Sequence, residues 1–238
     1  MTARTLARLG RLALQDPATL RAAATWRPFS VTSFEMARAL RAQGLRPSLV
    51  VDGGANAGQF ARAMAETFPE ARVVSFEPLP EVAAAFAKAL GDEPRVRLVQ
   101  AALGAEPGTV TFHRQDYSLS SSVLPPSDPG TATTTLDVPV TTLDAALADD
   151  AIPPDTLVKL DLQGYELEAL RGAPSVLGRA RHVLLETAFR SSYQGEASFE
   201  DLQSVLAEHG YRFLRPVDIL RDAAGEIVQM DALFERGA

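Results

Sequence analysis

Thirteen residues from Ser48 to Phe60, SLVVDGGANAGQF, run from an apolar stretch into Asp52, then through Gly53, Gly54 and Gly58 into a helical pattern. Strand, glycine turn and helix in that order form a cradle that a nucleotide-like ligand can approach closely, because no Cβ stands in its way. A second apolar run, RVVSFEP, ends in Glu77, 19 residues beyond Gly58. An acid at that place can take both hydroxyls of a ribose. The fine spacing then separates the cofactors. A dinucleotide turn, G-x-G-x-x-G, sets helix amides against a pyrophosphate, but here Gly54 is followed by Ala55 and Asn56, and the next glycine is Gly58. No Gly-Lys-Ser or Gly-Lys-Thr occurs, which excludes a P-loop. Asp52 would repel phosphates and suits a ligand with an ammonium, a sulfonium and no phosphate, which describes S-adenosylmethionine.

A third string, Leu157 to Glu168, reads as a strand that ends in Lys159 to Asp161, turns at Gly164 and enters a helix near Tyr165. Ligands of open α/β sheets sit outside the carboxyl ends of the strands, so Asp161 belongs at the cleft and is the leading catalytic candidate. A positioned carboxylate there can take a proton from an alcohol, or it can cap the following helix. Glu186, ending the next candidate strand, is the other base. Lys159, one of two lysines in the chain, can orient the carboxylate or bind a substrate oxygen. Glu166 and Glu168 read as helix N-terminal charges. His113 is a weaker base candidate, and His182 and His209 read as structural.

The strings DGGANAGQF, FEP, VRLVQAALG, SLSSSVL, VTTLD and above all VKLDLQGYELEALRGA resemble the FkbM family of S-adenosylmethionine-dependent methyltransferases, in order and spacing over about Val50 to Glu186. The pattern K-x-D-x-x-G-x-E followed by L-x-G-A is its most specific part. The resemblance implies a class I fold, a doubly wound, mostly parallel seven-stranded α/β sheet. It also implies O-methylation of a hydroxyl on a sugar, glycan or natural product. An N-methyltransferase and a catalytically silent cofactor-binding module are the alternatives, and a nucleotide-binding oxidoreductase is opposed by the Gly54 to Gly58 spacing. The expected cofactor set is Asp52, Gly53, Gly54, Ala55, Asn56, Gly58, Glu77, Pro78, Ala101, Ala102, Ser121 and Asp161; the expected catalytic set is Asp161, Lys159 and Glu186. Asp116, Tyr117, Ser121 and Ser122 would lie near the adenine or the substrate. Gly53 departs from the usual β-branched or small apolar residue, and a more flexible turn is expected from it. Magnesium, which related sugar methyltransferases use, is possible but not favoured.

The elements that must position these residues follow from periodicity. Candidate strands are Ser48 to Gly53, Arg72 to Phe76, Val96 to Ala101, Leu157 to Leu160 and His182 to Glu186. Helical patterns at Gln59 to Thr67, Pro80 to Leu90 and Glu166 to Leu170 alternate with them, the signature of parallel βαβ units. Tyr211 to Leu214 and Ile227 to Phe234, parted by Asp222, Gly225 and Glu226, read as a closing antiparallel hairpin. From His113 to Thr135 the chain is rich in Ser, Thr, Pro and Gly, and it reads as an irregular lid or a floppy insertion.

Charge and composition set the outer limits. Residues 1 to 46 carry eight Arg against Asp16 and Glu35, whereas residues 47 to 238 hold 15 basic and 28 acidic residues. An acidic body argues against nucleic-acid backbone binding, which needs clustered positive charge. The absence of cysteine removes thiol nucleophiles, iron-sulfur clusters and cysteine-ligated zinc together. No apolar run could span a bilayer. Leu6, Leu9, Ala13 and Leu20 can share one helical stripe. Residues 1–46 are therefore expected to form a helical extension packed on a methyltransferase domain of residues 47–238, with Trp26 and Phe29 pinning it down. A cytoplasmic location, a small-molecule or sugar acceptor and a homodimer complete the expectations.

Overall fold

The computed structural model describes residue 10 and residues 17–237. Leu6, Leu9 and Ala13 of the leading stripe lie outside those residues, and Leu20 is 56% exposed, so it takes no part in a buried face. The described chain begins with α1 (Pro17–Thr25) and α2 (Val31–Ala42), the latter opened by Ser30, whose side chain accepts from the Ser33 amide. Then follow β1 (Leu49–Gly53), α3 (Gln59–Thr67), β2 (Arg72–Phe76), α4 (Pro80–Leu90) and β3 (Val96–Val99). A small outlying part contains β4 (Ala102–Leu103), β5 (Gly108–Arg114) and β6 (Thr134–Thr141), followed by α5 (Leu143–Ala146). The second half comprises β7 (Leu157–Leu160), α6 (Glu166–Arg171), α7 (Pro174–Leu177), β8 (His182–Ala188), α8 (Phe199–Glu208), β9 (Tyr211–Arg221) and β10 (Ile227–Arg236).

Seven strands form one sheet in the order β3-β2-β1-β7-β8-β10-β9. All neighbours from β3 to β8 run parallel, and β10 is antiparallel to both β8 and β9. This is the doubly wound sheet with a closing hairpin that the sequence leads one to expect. Order reverses between β1 and β7, so the crevice for a ligand opens at their carboxyl ends.

Alternation along the strands sorts the side chains between two layers of helix. Leu49, Val51, Val158, Leu160 and Val183 pack with Leu170, Leu177, Leu202 and Leu206 of α6, α7 and α8. Val50, Leu157, Leu184 and Leu233 face the other way, onto Leu40, Phe60, Met64 and Phe86 of α2, α3 and α4. Each such buried Leu or Phe is worth about 1.5–3 kcal/mol against exposure. Of the extension, Trp26, α2 and Leu45 are thus part of the second layer, with Trp26 and Phe29 ringed around Phe34. By the same alternation Asp52, Lys159, Glu186 and Asp231 share one face, a polar row along the carboxyl edge of the sheet.

Several sequence boundaries need correction. The third candidate strand stops at Val99; Ala102 and Leu103 leave the main sheet to pair with β6. The run after Tyr211 continues through Arg221, so the hairpin is twice as long as its apolar residues suggest. The stretch from His113 to Thr135 is not irregular at its ends, because His113 and Arg114 pair with Thr135 and Thr134 in a second sheet, β4-β6-β5. That sheet is easily missed because Phe112 and Val138 are the only fully buried residues of β5 and β6. Among the described residues no helix is long and apolar enough to cross a membrane.

Candidate active site

The glycine turn begins inside the sheet. Gly53 is the last residue of β1, and a Cβ there would sit 2.8 Å from Leu160 Cδ2 and 2.9 Å from Leu103 Cδ1. It is a strand residue that makes room for two leucines, not a loosened turn. Gly54 is where the turn forms, with φ +76 and a virtual Cβ only 1.9 Å from the Asp161 carbonyl oxygen. No side chain fits there. Gly58, at φ +93, starts α3, and a Cβ would meet Leu90 Cδ1 at 2.5 Å, so its role is helix-to-helix packing. Between them Asn56 stands at φ +46, caps the next amide with its own Oδ1 and donates from Nδ2 to Ser118 Oγ at 3.0 Å.

Glu77 holds the turn from the neighbouring strand. Its Oε2 accepts from the Asn56 amide at 3.0 Å and its Oε1 from the Leu79 amide at 2.9 Å. Burial pushes its carboxyl up to about 7, even though both backbone bonds favour the ionised form. Beside it opens a cavity of about 580 Å³. Of the expected cofactor residues, Gly54, Asn56, Glu77, Pro78, Ala101, Ala102, Ser121 and Asp161 line this cavity. Asp52, Gly53, Ala55 and Gly58 are not among its walls. Asp52 is fully buried behind the turn, where it accepts from Ser75 Oγ at 3.3 Å and faces Lys159 Nζ at 3.5 Å. Its part is to hold the lysine.

The lining is informative as a set. Among the described residues it contains two acids, Glu77 and Asp161, and no Lys, Arg or His. A phosphate would find no counter-charge there, whereas a cationic ligand with a ribose and an apolar purine would meet acids, Asn56 and the apolar Phe76, Leu79, Phe112 and Val123. The residues fit S-adenosylmethionine.

Asp161 sits just past β7 with its side chain 31% exposed. Lys159 Nζ lies 3.3 Å from its Oδ2, itself buried under the Phe60 ring. Gln163 Nε2 donates to Asp161 Oδ1 at 2.7 Å and to Glu186 Oε2 at 2.6 Å. Asp161 and Glu186 thus flank the same amide, close enough for one proton to serve both. Burial alone would raise Asp161, but the Lys159 ammonium and the hydrogen bonds from Glu186, Gln163 and Lys159 outweigh it, so Asp161 stays below the ordinary carboxylate value. Glu186 goes the other way: burial and the Asp161 charge push it well above 4.5. Burial would also depress Lys159, yet Asp161, Asp52, Asp231 and Glu186 together raise it. Of the two carboxyls Asp161 is the more readily ionised, beside the Lys159 ammonium, and Glu186 is the readier to hold a proton. Neither Lys159 nor Glu186 lines the cavity; both act on it through Asp161 and Gln163.

Other expectations take different forms. Asp161 does not cap α6, whose start at Tyr165 has no side-chain cap. Glu166 is not an exposed helix charge, since its buried Oε1 accepts from the amides of Leu162 at 2.6 Å and Gly164 at 3.4 Å and staples the turn after β7. Burial pushes it up to about 8. Ser122 Oγ donates to the Gln163 carbonyl at 2.7 Å, and Ser121 Oγ accepts from the Gln115 amide at 3.0 Å, so the serine pair ties down the segment over the cavity. His113 is paired in β5, and its backbone bridges to Ser122.

Sequence reasoning passed over Gln163, Tyr193 and Asp231. Tyr193 is buried and its hydroxyl lies 2.9 Å from both the Ser120 carbonyl and Gln163 Oε1. Asp231 stands opposite Glu186 across β8 and β10, and burial pushes it up to about 7. An acid inside the apolar run IVQMDALF was a visible signal for it. For Tyr193 there was none, because it lies in a loop remote in sequence. Among the described residues no group of three or more His, Cys, Asp or Glu is arranged to hold a metal. The Lys159 ammonium and Gln163 amide occupy the places where a cation would meet Asp161 and Glu186, so the pair does not fit magnesium.

A sequence model of the FkbM methyltransferase domain matches residues 52–213. The 2-O-methyltransferase NoeI of Sinorhizobium fredii is 25% identical over 171 residues, which is 66% of this chain and 70% of NoeI. Among solved structures, magnesium protoporphyrin IX methyltransferase from Synechocystis, with bound S-adenosylmethionine, aligns at 13% identity and TM-score 0.49 over 87% of this chain and 78% of its own. A TehB-like methyltransferase from Corynebacterium glutamicum aligns at 15% identity and TM-score 0.45 over 97% and 99%.

Proposed function

This chain belongs to the FkbM methyltransferase family and is an S-adenosylmethionine-dependent methyltransferase, and from that premise we propose that it methylates a hydroxyl of a sugar, glycan or natural-product acceptor. The observation that carries the reading is Asp161, a carboxylate at the cavity edge 3.3 Å from the Lys159 ammonium and joined through the Gln163 amide to Glu186. The NoeI relative, a 2-O-methyltransferase, supports the same kind of acceptor atom.

When bound, S-adenosylmethionine supplies an electrophilic methyl group on a sulfonium. Glu77 takes the ribose hydroxyls, Gly54 leaves the approach to the backbone open, and Asn56 and Ser121 border the remainder. Asp161 accepts the hydroxyl proton of the acceptor and aims its oxygen, a role worth about 10²- to 10⁴-fold in rate for a positioned base. Lys159 offsets the charge of Asp161 before that proton arrives, and Glu186, raised by burial and by the Asp161 charge, is the readier of the two to keep a proton. The extension up to residue 46 serves as a wall of the methyltransferase domain rather than a separate unit.

Incubation with S-adenosylmethionine and a panel of glycosides, polyols and amines, read by mass spectrometry, tests this. One added methyl on a glycoside or polyol is the expected result. Methylation of amines alone would replace it with an N-methyltransferase, and cofactor binding without any transfer to any acceptor class would make the chain a silent binding module.

A further inference from the structure

Gln163 stands where everything bordering Asp161 crosses. Its backbone has φ +55, a left-handed conformation that is strained for a non-glycine residue. Glycine would occupy that backbone without strain, so the strain is tolerated for what the side chain does. Nε2 donates to Asp161 Oδ1 at 2.7 Å and Glu186 Oε2 at 2.6 Å, while Oε1 lies 2.9 Å from the Tyr193 hydroxyl. Two carboxyls that share one proton both need a donor, so the amino end of the amide must face them. The carbonyl end then faces the Tyr193 hydroxyl, whose one proton is shared between Gln163 Oε1 and the Ser120 carbonyl. The Gln163 main-chain carbonyl accepts from Ser122 Oγ at 2.7 Å. One residue therefore connects both carboxyls to the two segments that cover the cavity.

We propose that Gln163 is the positioning residue of the active site: its amide, anchored by Tyr193, sets the spacing and orientation of the Asp161 and Glu186 carboxyls at the cavity edge. The inference rests on the reading of Asp161 as the group that takes the acceptor proton. The charged and titratable groups facing Asp161 are Lys159 on its own strand, Asp52 from β1, Glu186 from β8, Asp231 from β10, Glu166 from α6 and Tyr193. Against those acids Lys159, the Glu186 carboxyl and the Gln163 amide favour the ionised carboxylate directly, since a donor to the charged form stabilises it. Loss of the amide moves the Asp161 titration toward higher pH.

The test is a ¹³C NMR titration of labelled Asp and Glu carboxyls in the full chain, with Asp161→Asn used for assignment. Gln163→Gly accepts the left-handed backbone and removes the amide; Tyr193→Phe keeps the amide and removes its anchor. The expected result is an upward move of the Asp161 titration by about one pH unit, tenfold in its acid constant, for Gln163→Gly. Tyr193→Phe moves it the same way by less. Calorimetry with S-adenosylhomocysteine should show affinity within about threefold of wild type for Tyr193→Phe, whose changed residue is not among the cavity walls. An unmoved Asp161 titration in a Gln163→Gly protein that melts like wild type would overturn the inference. Failure of S-adenosylhomocysteine to bind wild type would overturn the functional reading instead, and would leave the titration result standing.

Discussion

Glu77 and Asp161 are the two acids of the cavity wall, and their surroundings give them different work. Glu77 spends one lone pair of each oxygen on a backbone amide, so it is rigid before any ligand arrives. Truncation to alanine removes a charged acceptor and frees the turn. Glu77→Ala should weaken S-adenosylmethionine binding by about 1–3 kcal/mol, measured by calorimetry; unchanged affinity would contradict the ribose assignment. Asp161→Asn keeps size and polarity but cannot hold the proton. Turnover with any acceptor found in the screen should fall by about 10² or more, with cofactor affinity nearly unchanged, and addition of EDTA should leave wild-type turnover intact. The types of both residues and their strand-end positions were legible in the sequence. What was not legible was the state of their neighbours: Lys159, Asp52 and Glu186 form one ionic row only because three strands stand in a particular register. Gln163 escaped notice because an amide between two motif residues carries no chemistry until a partner such as Tyr193 is folded against it.

At the scale of elements, the turn after β1 and the turn after β7 lock into each other. Gly54 faces the Asp161 carbonyl so closely that a methyl group would overlap main-chain atoms, which no rotamer change can relieve. Gly54→Ala should therefore push the β7 turn away, cost about 2 kcal/mol or more from the left-handed backbone and the clash combined, and abolish measurable cofactor binding. Thermal melting with and without S-adenosylmethionine checks both effects; a stable variant with a normal ligand-induced shift would show that the turns are not coupled. The parallel strands and their helices were readable because they are apolar on both faces, as buried parallel strands must be. The strands of the second sheet expose most of their residues, so Ser, Thr, Pro and Gly between them dominated the reading. β9 was cut short for a similar reason: beyond Leu214 it carries Arg215, Pro216 and Asp218 at an exposed sheet edge.

The whole molecule stores protons when it folds. Glu77 and Asp231 are raised to about 7, Glu166 to about 8, and Glu186 well above its ordinary value. In the unfolded chain these groups ionise near pH 4 to 4.5. Between the two ranges the folded state binds more protons, so stability falls as pH rises from about 5 to 8. Lys159, also raised, acts in the same direction but only above the unfolded lysine value, outside this window, and Asp161, being lowered, contributes its loss only in stronger acid. The ligand-free protein should melt at a higher temperature at pH 6 than at pH 8, as differential scanning fluorimetry would show; a flat or rising profile would mean that these acids are solvated. The seven-stranded sheet was legible as a class, yet the place of β10 between β8 and β9 was not, since a hairpin read from sequence does not say which arm lies inside. That placement governs how the chain is made. As synthesis proceeds from the N-terminus, at about 5–20 residues per second, β1, β2, β3, β7 and β8 can assemble while β9 has nothing to pair with. On a ribosome β9 must wait until β10 emerges and slides in between it and β8. The interval between them is a window in which the unfinished edge of β8, beside Glu186, is open to chaperones or to another nascent copy.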